Sequence, residues 1–420
     1  DAVPALRALR RDGIGFTLDV LGEATVSEAE GLAYQRTYLE LLDGLAAEAA
    51  TWPQVHDVDH AAWGPLPRLN LSLKITSLYS QIDPLDFDGS VAAVKDRLRP
   101  IFRRGMETGA ALTLDLEQFR SRDLTLAVFM SLLDEDEFLT YDDAGLVLQA
   151  YLRDADRDLD RLLAWARERT RPFHLRLVKG AYWDYETVIA AQEGWPVPVF
   201  THKDDTDAMY EQLARTMLQA SDVVRPAFAS HNVRSLAAAI ETASELGLPR
   251  DAFELQMLHG MGDPIKAAVR GLGLRVREYA PVGEPIPGMA YLVRRLLENT
   301  ANDSFLRRTF VEGAAVDELV RPPQTSPDFG VAPRRMPTVE PTDAVAPGPF
   351  RNHPHADFSR EENREAYAAA LTRERARYGS HYPLRVGGRD IETARTLDSV
   401  NPAAPDEVVG TVAYGGRARS

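Results

Sequence analysis

Cysteine is absent from all 420 residues. That removes disulfides, thiolate nucleophiles and cysteine-ligated zinc together. Positive charge is also short: 48 Lys and Arg against 63 Asp and Glu give a net charge of −15. An acidic chain is a poor partner for phosphate backbones, so nucleic acid is disfavoured. Simple electrostatic docking on anionic lipid is disfavoured for the same reason. No apolar run reaches the length of a membrane span, and the N-terminus carries no signal-peptide pattern. A cytoplasmic location fits these absences. No predicted strand is followed by G-x-G-x-x-G; the GLG at 271–273 is too short and precedes a strand, so the dinucleotide fingerprint is missing. No H-x-x-x-H or clustered carboxylate partner accompanies the histidines, so no metal site is expected.

What is present is an alternation. Eight segments read as strands, at 13–22, 69–75, 111–117, 146–152, 173–180, 225–232, 253–258 and 274–282. Helical patterns fill most gaps, among them DLTLAVFMSLL, DLDRLLAWARER, AMYEQLARTMLQA and VRSLAAAIETASELG. Strands alternating with helices imply a parallel sheet. Eight such units predict an α/β fold closed as a (βα)8 TIM-like barrel; an open doubly wound sheet is the competing architecture.

Polarity within the strands has period two. Leu69, Leu71 and Leu73 oppose Asn70, Ser72 and Lys74; Leu112, Leu114 and Leu116 oppose Thr113, Asp115 and Glu117. Val147, Gln149 and Tyr151 share a face, as do His174 and Arg176. In a barrel wrapped by helices the apolar face must point outward. The polar face then lines the lumen, toward the C-terminal strand ends where such barrels keep their sites. A solvated antiparallel sheet would show the same alternation, but gaps of about 30 residues fit crossovers better than hairpins.

Lys74, Asp115, Glu117, Arg176 and Lys179, with Gln149 and Gln256, form the resulting polar set. Buried charges are expensive unless paired or used, so the set is read as a site, with a structural ion-pair network as its rival. RLVKGAYW (176–183) adds Gly180 beside Tyr182 and Trp183, close backbone approach next to flat apolar surface. THK (201–203) and SHN (230–232) follow strands. Basic groups plus such donors suit an anionic cofactor such as a dinucleotide pyrophosphate. Beyond the eighth strand, Tyr291, Arg294, Arg295 and Glu298 fall on one helical face opposite Leu292, Val293, Leu296 and Leu297. That face is either solvated or a grip for a carboxylate, since guanidinium forks match that anion.

Eight prolines within 321–350 mark a linker or extended arm, because proline at that density breaks helix and sheet. A helix is expected at 359–379, opened by a capping box of Ser359 and Glu362. The short strands after it read as the start of a second domain. The expected division is 1–312 barrel, 313–350 Pro-rich arm and 351–420 incomplete second domain.

VLGEA (20–24), LSLKITSL (71–78), RLVKGAYW, FASHN, LQMLHGMG (255–262), YAPVG (279–283) and YLVRRLLENTANDSF (291–305) resemble, in order, the motifs of the proline dehydrogenase family. They are similar in particular to the proline dehydrogenase half of the bifunctional proline utilization A enzymes. The segment from DFSREENREAY to DEVVG resembles the lead into the aldehyde dehydrogenase half, which stops here before any catalytic cysteine. The resemblance implies a distorted (βα)8 barrel that holds FAD without a Rossmann fold. It implies oxidation of L-proline to Δ1-pyrroline-5-carboxylate by hydride transfer to flavin N5, with electrons passed to a membrane quinone. It is compatible with peripheral attachment at the inner membrane and with a homo-oligomeric full-length enzyme.

Carried onto this chain, the resemblance makes Lys74, Arg294 and Arg295 the ligands of the proline carboxylate. Tyr279, Tyr291, Tyr182 and Leu258 would wall the ring, with Asp115 close by. Arg176 would contact the flavin near N5 and pair with Glu23 as a gate. Gln149, Val178, Lys179, Gly180, Trp183, Thr201, His202, Lys203, Ser230, His231, Asn232, Gln256, Glu298, Ser304 and Phe305 would contact FAD. Two features depart from the pattern: the prolines of GEPIPGMAYL (283–292), and WPQVHDVDHAAWGP (52–65), to which no role is assigned. No ribbon-helix-helix-like segment precedes Asp1, so a repressor role lacks support. Two other readings remain: a Schiff-base barrel enzyme using Lys74 or Lys179, and a scaffold for the second domain.

Overall fold

Eight strands close into one parallel barrel, in the order β1-β8-β7-β6-β5-β4-β3-β2 and back to β1. They are β1 Gly15–Val20, β2 Asn70–Leu73, β3 Ala111–Leu114, β4 Ala144–Gln149, β5 Phe173–Val178, β6 Val224–Ala229, β7 Glu254–Leu258 and β8 Val276–Val282. This is a computed structural model, and it describes residues 2–22, 24–283, 288–289, 293, 315–330, 352 and 354–415. The chain divides into two units, Asp1–His355 and Ala356–Ser420.

The barrel follows from the alternation. Phe16, Leu18, Leu71, Leu73, Leu112, Leu114, Leu146, Leu148, Leu175, Leu177, Phe228 and Leu255 point outward and are buried. They pack beneath a ring of helices: α1 Val3–Arg11, α2 Glu28–Ala50, α3 Phe87–Thr108, α4 Phe119–Leu133, α5 Ala155–Arg169, α6 Trp183–Glu193, α7 Lys203–Gln219, α8 Val233–Glu245 and α9 Asp263–Gly271. Local chemistry sets their ends. Ser27 accepts from Glu30 N–H at the start of α2, and Asn232 accepts from the N–H groups of Arg234 and Ser235 at the start of α8. Gly109 ends α3 with φ +63°, a conformation that glycine adopts without a Cβ penalty.

The strands stop sooner than the sequence predicts. β2, β3, β4, β5 and β6 end at residues 73, 114, 149, 178 and 229, whereas the alternation runs two or three residues further. Lys74, Asp115, Lys179 and Ser230 therefore lie just past the strand ends, although Asp115 and Ser230 still donate their backbone N–H to Leu73 and Gln256 and Lys179 still accepts from Tyr151. The segment 52–65 acquires a place. Two-residue strands His60–Ala61 and Gly64–Pro65 pair antiparallel around Trp63. The Trp63 ring lies 5.6 Å from the Arg225 guanidinium, 5.3 Å from that of Arg275 and 6.1 Å from the His174 ring. These three sit at the N-terminal ends of β5, β6 and β8, so Trp63 covers the mouth opposite the site.

The second unit holds α10 Glu361–Arg375, β9 Ser380–Tyr382, β10 Leu384–Val386, β11 Arg389–Ile391, β12 Thr396–Asn401 and β13 Ala404–Ala413. β13 lies between β9 and β12, and β10 pairs with β11. The expected capping box does not form. Arg360 occupies the N-cap without a side-chain cap, while the Ser359 hydroxyl donates to Asp357, a local bond that competes with capping.

Candidate active site at the C-terminal mouth

Five strands bring one ion cluster together in the lumen. Lys74, just past β2, donates to Asp19 of β1 and lies 3.6 Å from Asp115 Oδ2 past β3. Arg176 of β5 donates from Nη1 to Asp115 Oδ1 at 2.9 Å and to Ser72 Oγ at 3.1 Å. Tyr279 of β8 donates its hydroxyl to Asp115 Oδ2 at 2.7 Å, and its ring lies 5.2 Å from the Arg176 guanidinium. Lys74, Asp19, Asp115 and Arg176 are buried. Burial alone would depress the Lys74 ammonium, but Tyr279, Asp19 and Asp115 together hold it well above the ordinary lysine value. Burial, reinforced by the negative charge of Asp115, raises Asp19 despite Lys74. Burial and the same carboxylates push the Tyr279 phenol well up. Lys74 is thus a fixed cation and Tyr279 a fixed hydrogen-bond donor.

A second cluster borders the first. Asp207 of α7 receives Lys179, Lys203 at 2.9 Å and the Asn232 amide at 3.5 Å. Burial depresses Lys179 to about 8, with Asp207 pulling the other way. Burial works to raise Asp207, but Lys179 and Lys203 bring it below its usual range. Gln149 donates to the carbonyls of Leu116 and Glu117 at 2.9 and 3.0 Å. Its Oε1 is buried with no partner among the described residues, as is Arg176 Nε. Gly180 has φ +134°, and a Cβ there would lie 2.4 Å from the Tyr151 ring. Trp183 donates to the Phe200 carbonyl at 2.8 Å. Ser230 Oγ accepts from Asn232 N–H at 3.0 Å, and His231 Nε2 lies 3.2 Å from the Leu258 nitrogen.

The structure therefore places Lys74, Asp115, Arg176 and Tyr279 together, and Lys179, Lys203 and Asn232 together. Tyr182, Trp183, Thr201, His202, Val178 and Gly180 lie on β5 and the loops and helix starts beyond it and past Phe200. Gln256 is turned down the lumen, its amide 2.5 Å from Glu254 Oε1. Glu117 accepts from the Thr76 hydroxyl at 2.8 Å. Glu23, Tyr291, Arg294, Arg295, Glu298, Ser304 and Phe305 lie outside the described residues. Sequence reasoning missed Asp19 and Asp207. Asp19 was accessible: Thr17 and Asp19 alternate with Phe16, Leu18 and Val20. Asp207 offered only an i,i+4 relation to Lys203, which any solvated helix can show.

A closed parallel barrel with paired charges gathered at the C-terminal strand ends defines a (βα)8-barrel enzyme architecture. The proline dehydrogenase family profile matches residues 2–308, and the chain belongs to that family. It is 29% identical to the bifunctional protein PutA of Escherichia coli (strain K12), over 98% of this chain and 31% of that protein. It is 31% identical to proline dehydrogenase 2 of Bacillus subtilis (strain 168), over 72% of this chain and 84% of that one. The crystal structure of proline utilization A from Bdellovibrio bacteriovorus, inactivated by N-propargylglycine, superposes with a TM-score of 0.90. The two are 45% identical, over 99% of this chain and 42% of that one. The chain spans about a third of the length of the PutA relative from E. coli.

Proposed function

We propose that this chain carries the FAD-dependent oxidation of L-proline to Δ1-pyrroline-5-carboxylate, with electrons passed to a quinone acceptor resident in a membrane. The observation that carries the reading is the buried Lys74–Asp115–Arg176–Tyr279 cluster at the C-terminal mouth, within a family named for this substrate. When bound, the flavin supplies the hydride acceptor at N5.

The residues present fit that cofactor. The Gln149 Oε1 acceptor and the Arg176 Nε donor are both buried without partners among the described residues, and a flavin ring edge offers donors and acceptors. Lys179 and Lys203, beside Asn232 and Ser230, suit the phosphates. Gly180, held against Tyr151, keeps the backbone clear of a bulky side chain. Lys74, with Arg294 and Arg295, would orient the substrate carboxylate, while Leu258 and Tyr279 wall its ring. Orientation is much of what hydride transfer asks of a protein. Lys74 held protonated is a poor nucleophile, which argues against Schiff-base chemistry at that residue. No helix among the described residues is long and apolar enough to cross a membrane; access to the quinone would be peripheral, at the inner membrane.

The test is the visible spectrum of the purified protein, before and after L-proline is added without air. Flavin bands that bleach with proline are expected. Protein that stays colourless and takes up no added FAD overturns the reading.

A further inference from the structure

Behind the proposed pocket wall, outside the barrel, a further buried ion group ties β7 to β8. Leu258 and Tyr279 are register partners across these strands. The residues that follow Leu258 and precede Tyr279 are His259 and Glu278. Glu278 is buried, with its side chain 5% exposed. Its Oε2 lies 2.5 Å from His259 Nδ1, and its Oε1 accepts from Lys266 Nζ of α9 at 2.7 Å. The His259 backbone N–H also donates to the Tyr279 carbonyl at 3.0 Å.

The loop between Leu258 and α9 is shaped to reach this group. Gly260 and Gly262 have φ +74° and +68°, which side chains rarely adopt. A Cβ on Gly262 would lie 2.9 Å from the His231 ring. That ring in turn meets the Leu258 nitrogen at 3.2 Å. Leu258 is thus bracketed on one side by His231 and on the other by the His259–Glu278–Lys266 group.

We infer that His259 is a positioning residue for the reaction: bonded to Glu278, it holds the Leu258–Tyr279 wall at the spacing that fits the substrate ring. This rests on the proposed function. Neither His259 nor Glu278 belongs to the lumen cluster, so the group acts on fit and leaves the reacting atoms untouched. Its loss removes binding that ground state and transition state share, which raises KM and spares kcat.

His259 is the suitable probe because its side chain is 46% exposed, whereas Lys266 and Glu278 are 4% and 5% exposed, and altering either strands a buried charge. In His259→Leu, Glu278 keeps Lys266. The expected result with L-proline is a KM about tenfold higher, a kcat within about threefold, and an unchanged flavin spectrum. In His259→Asn a side-chain N–H again reaches Glu278, and KM should return to within about twofold of wild type. Amide exchange across residues 254–262 reads the clamp independently of turnover: faster in His259→Leu, as in wild type in His259→Asn. Unchanged KM or unchanged exchange in His259→Leu, or no rescue by His259→Asn, overturns the inference. A wild type that leaves L-proline unoxidised overturns the proposed activity instead, and the exchange experiment still decides the clamp.

Discussion

Replacing Lys74 with Met would strand two carboxylates. Asp19 and Asp115 share its ammonium in the lumen, and their side chains are only 3% and 11% exposed. Removing one partner of a buried ion group costs about 3–5 kcal/mol, whereas replacing both partners by apolar groups is close to neutral. Lys74→Met should therefore destabilise by about that amount, and Lys74→Met/Asp19→Leu should recover about 2 kcal/mol or more of it. Asp19→Asn should cost less, because Lys74 keeps Asp115. The assay is equilibrium urea unfolding, with ΔΔG taken from the midpoint at constant slope. pH supplies an internal check. Asp19 is already raised by burial, and losing Lys74 raises it further. A carboxyl whose folded pKa exceeds its unfolded one makes the folded state bind more protons, so stability falls as pH rises. The gap between wild type and Lys74→Met should widen from pH 5 to pH 8. Strictly additive single and double variants, or a gap independent of pH, would refute the reasoning.

Lys179, depressed to about 8 by burial, loses charge as pH rises past that value; FAD affinity should weaken between pH 7 and 9.5, and Lys179→Arg should flatten the titration, whereas a flat wild-type curve counts against a phosphate role. Burial pushes Asp158 up to about 7; Arg122, 3.5 Å away, donates instead to Asp154 and Asp123. Since the folded pKa lies above the unfolded one, wild type should lose stability as pH rises from about 4 to 7, and Asp158→Asn should gain on it by about 2 kcal/mol between pH 5 and 8; a loss at pH 8 refutes this. Gly180→Ala combines φ +134° with a Cβ 2.4 Å from the Tyr151 ring; it should cost about 1–3 kcal/mol and loosen flavin binding, read by unfolding and by retained absorbance.

How much of this could be read in the residues depends on whether the cause was local. The barrel was legible because a sheet wrapped by helices must alternate apolar and polar side chains, and Leu71, Leu73, Leu112 and Leu114 obey that rule. Strand ends were not, because the alternation of Lys74 and Asp115 continues after the regular strands end at Leu73 and Leu114. Lys74, Asp115 and Arg176 of the lumen cluster were visible singly, as polar residues toward strand ends; their partners were set by closure of the barrel. Asp115 receives Arg176 and Tyr279 from 61 and 164 residues away. Trp63 had no local signal at all, since its contacts are Arg225 and Arg275, which folding alone brings to the N-terminal mouth. Ser359 and Glu362 show the converse: a correct capping pattern that lost to a nearer acceptor, Asp357.

The charges in the mouth also constrain how a carboxylate could bind there. Among the described residues, Lys74 and Arg176 face Asp19 and Asp115, so two cations meet two anions. Such a balanced cluster has no excess attraction for a ligand carboxylate. The excess the proposed reaction needs would have to come with Arg294 and Arg295, which the sequence places just after β8. On that reading Lys74 does two things. It pairs with Asp19 and Asp115 in the lumen, which fixes Arg176 and Tyr279 through Asp115, and it would offer a remaining N–H to the substrate. The two arginines would supply the net charge. That division of labour explains why three cations would serve one small carboxylate: one is already committed to the protein's own anions.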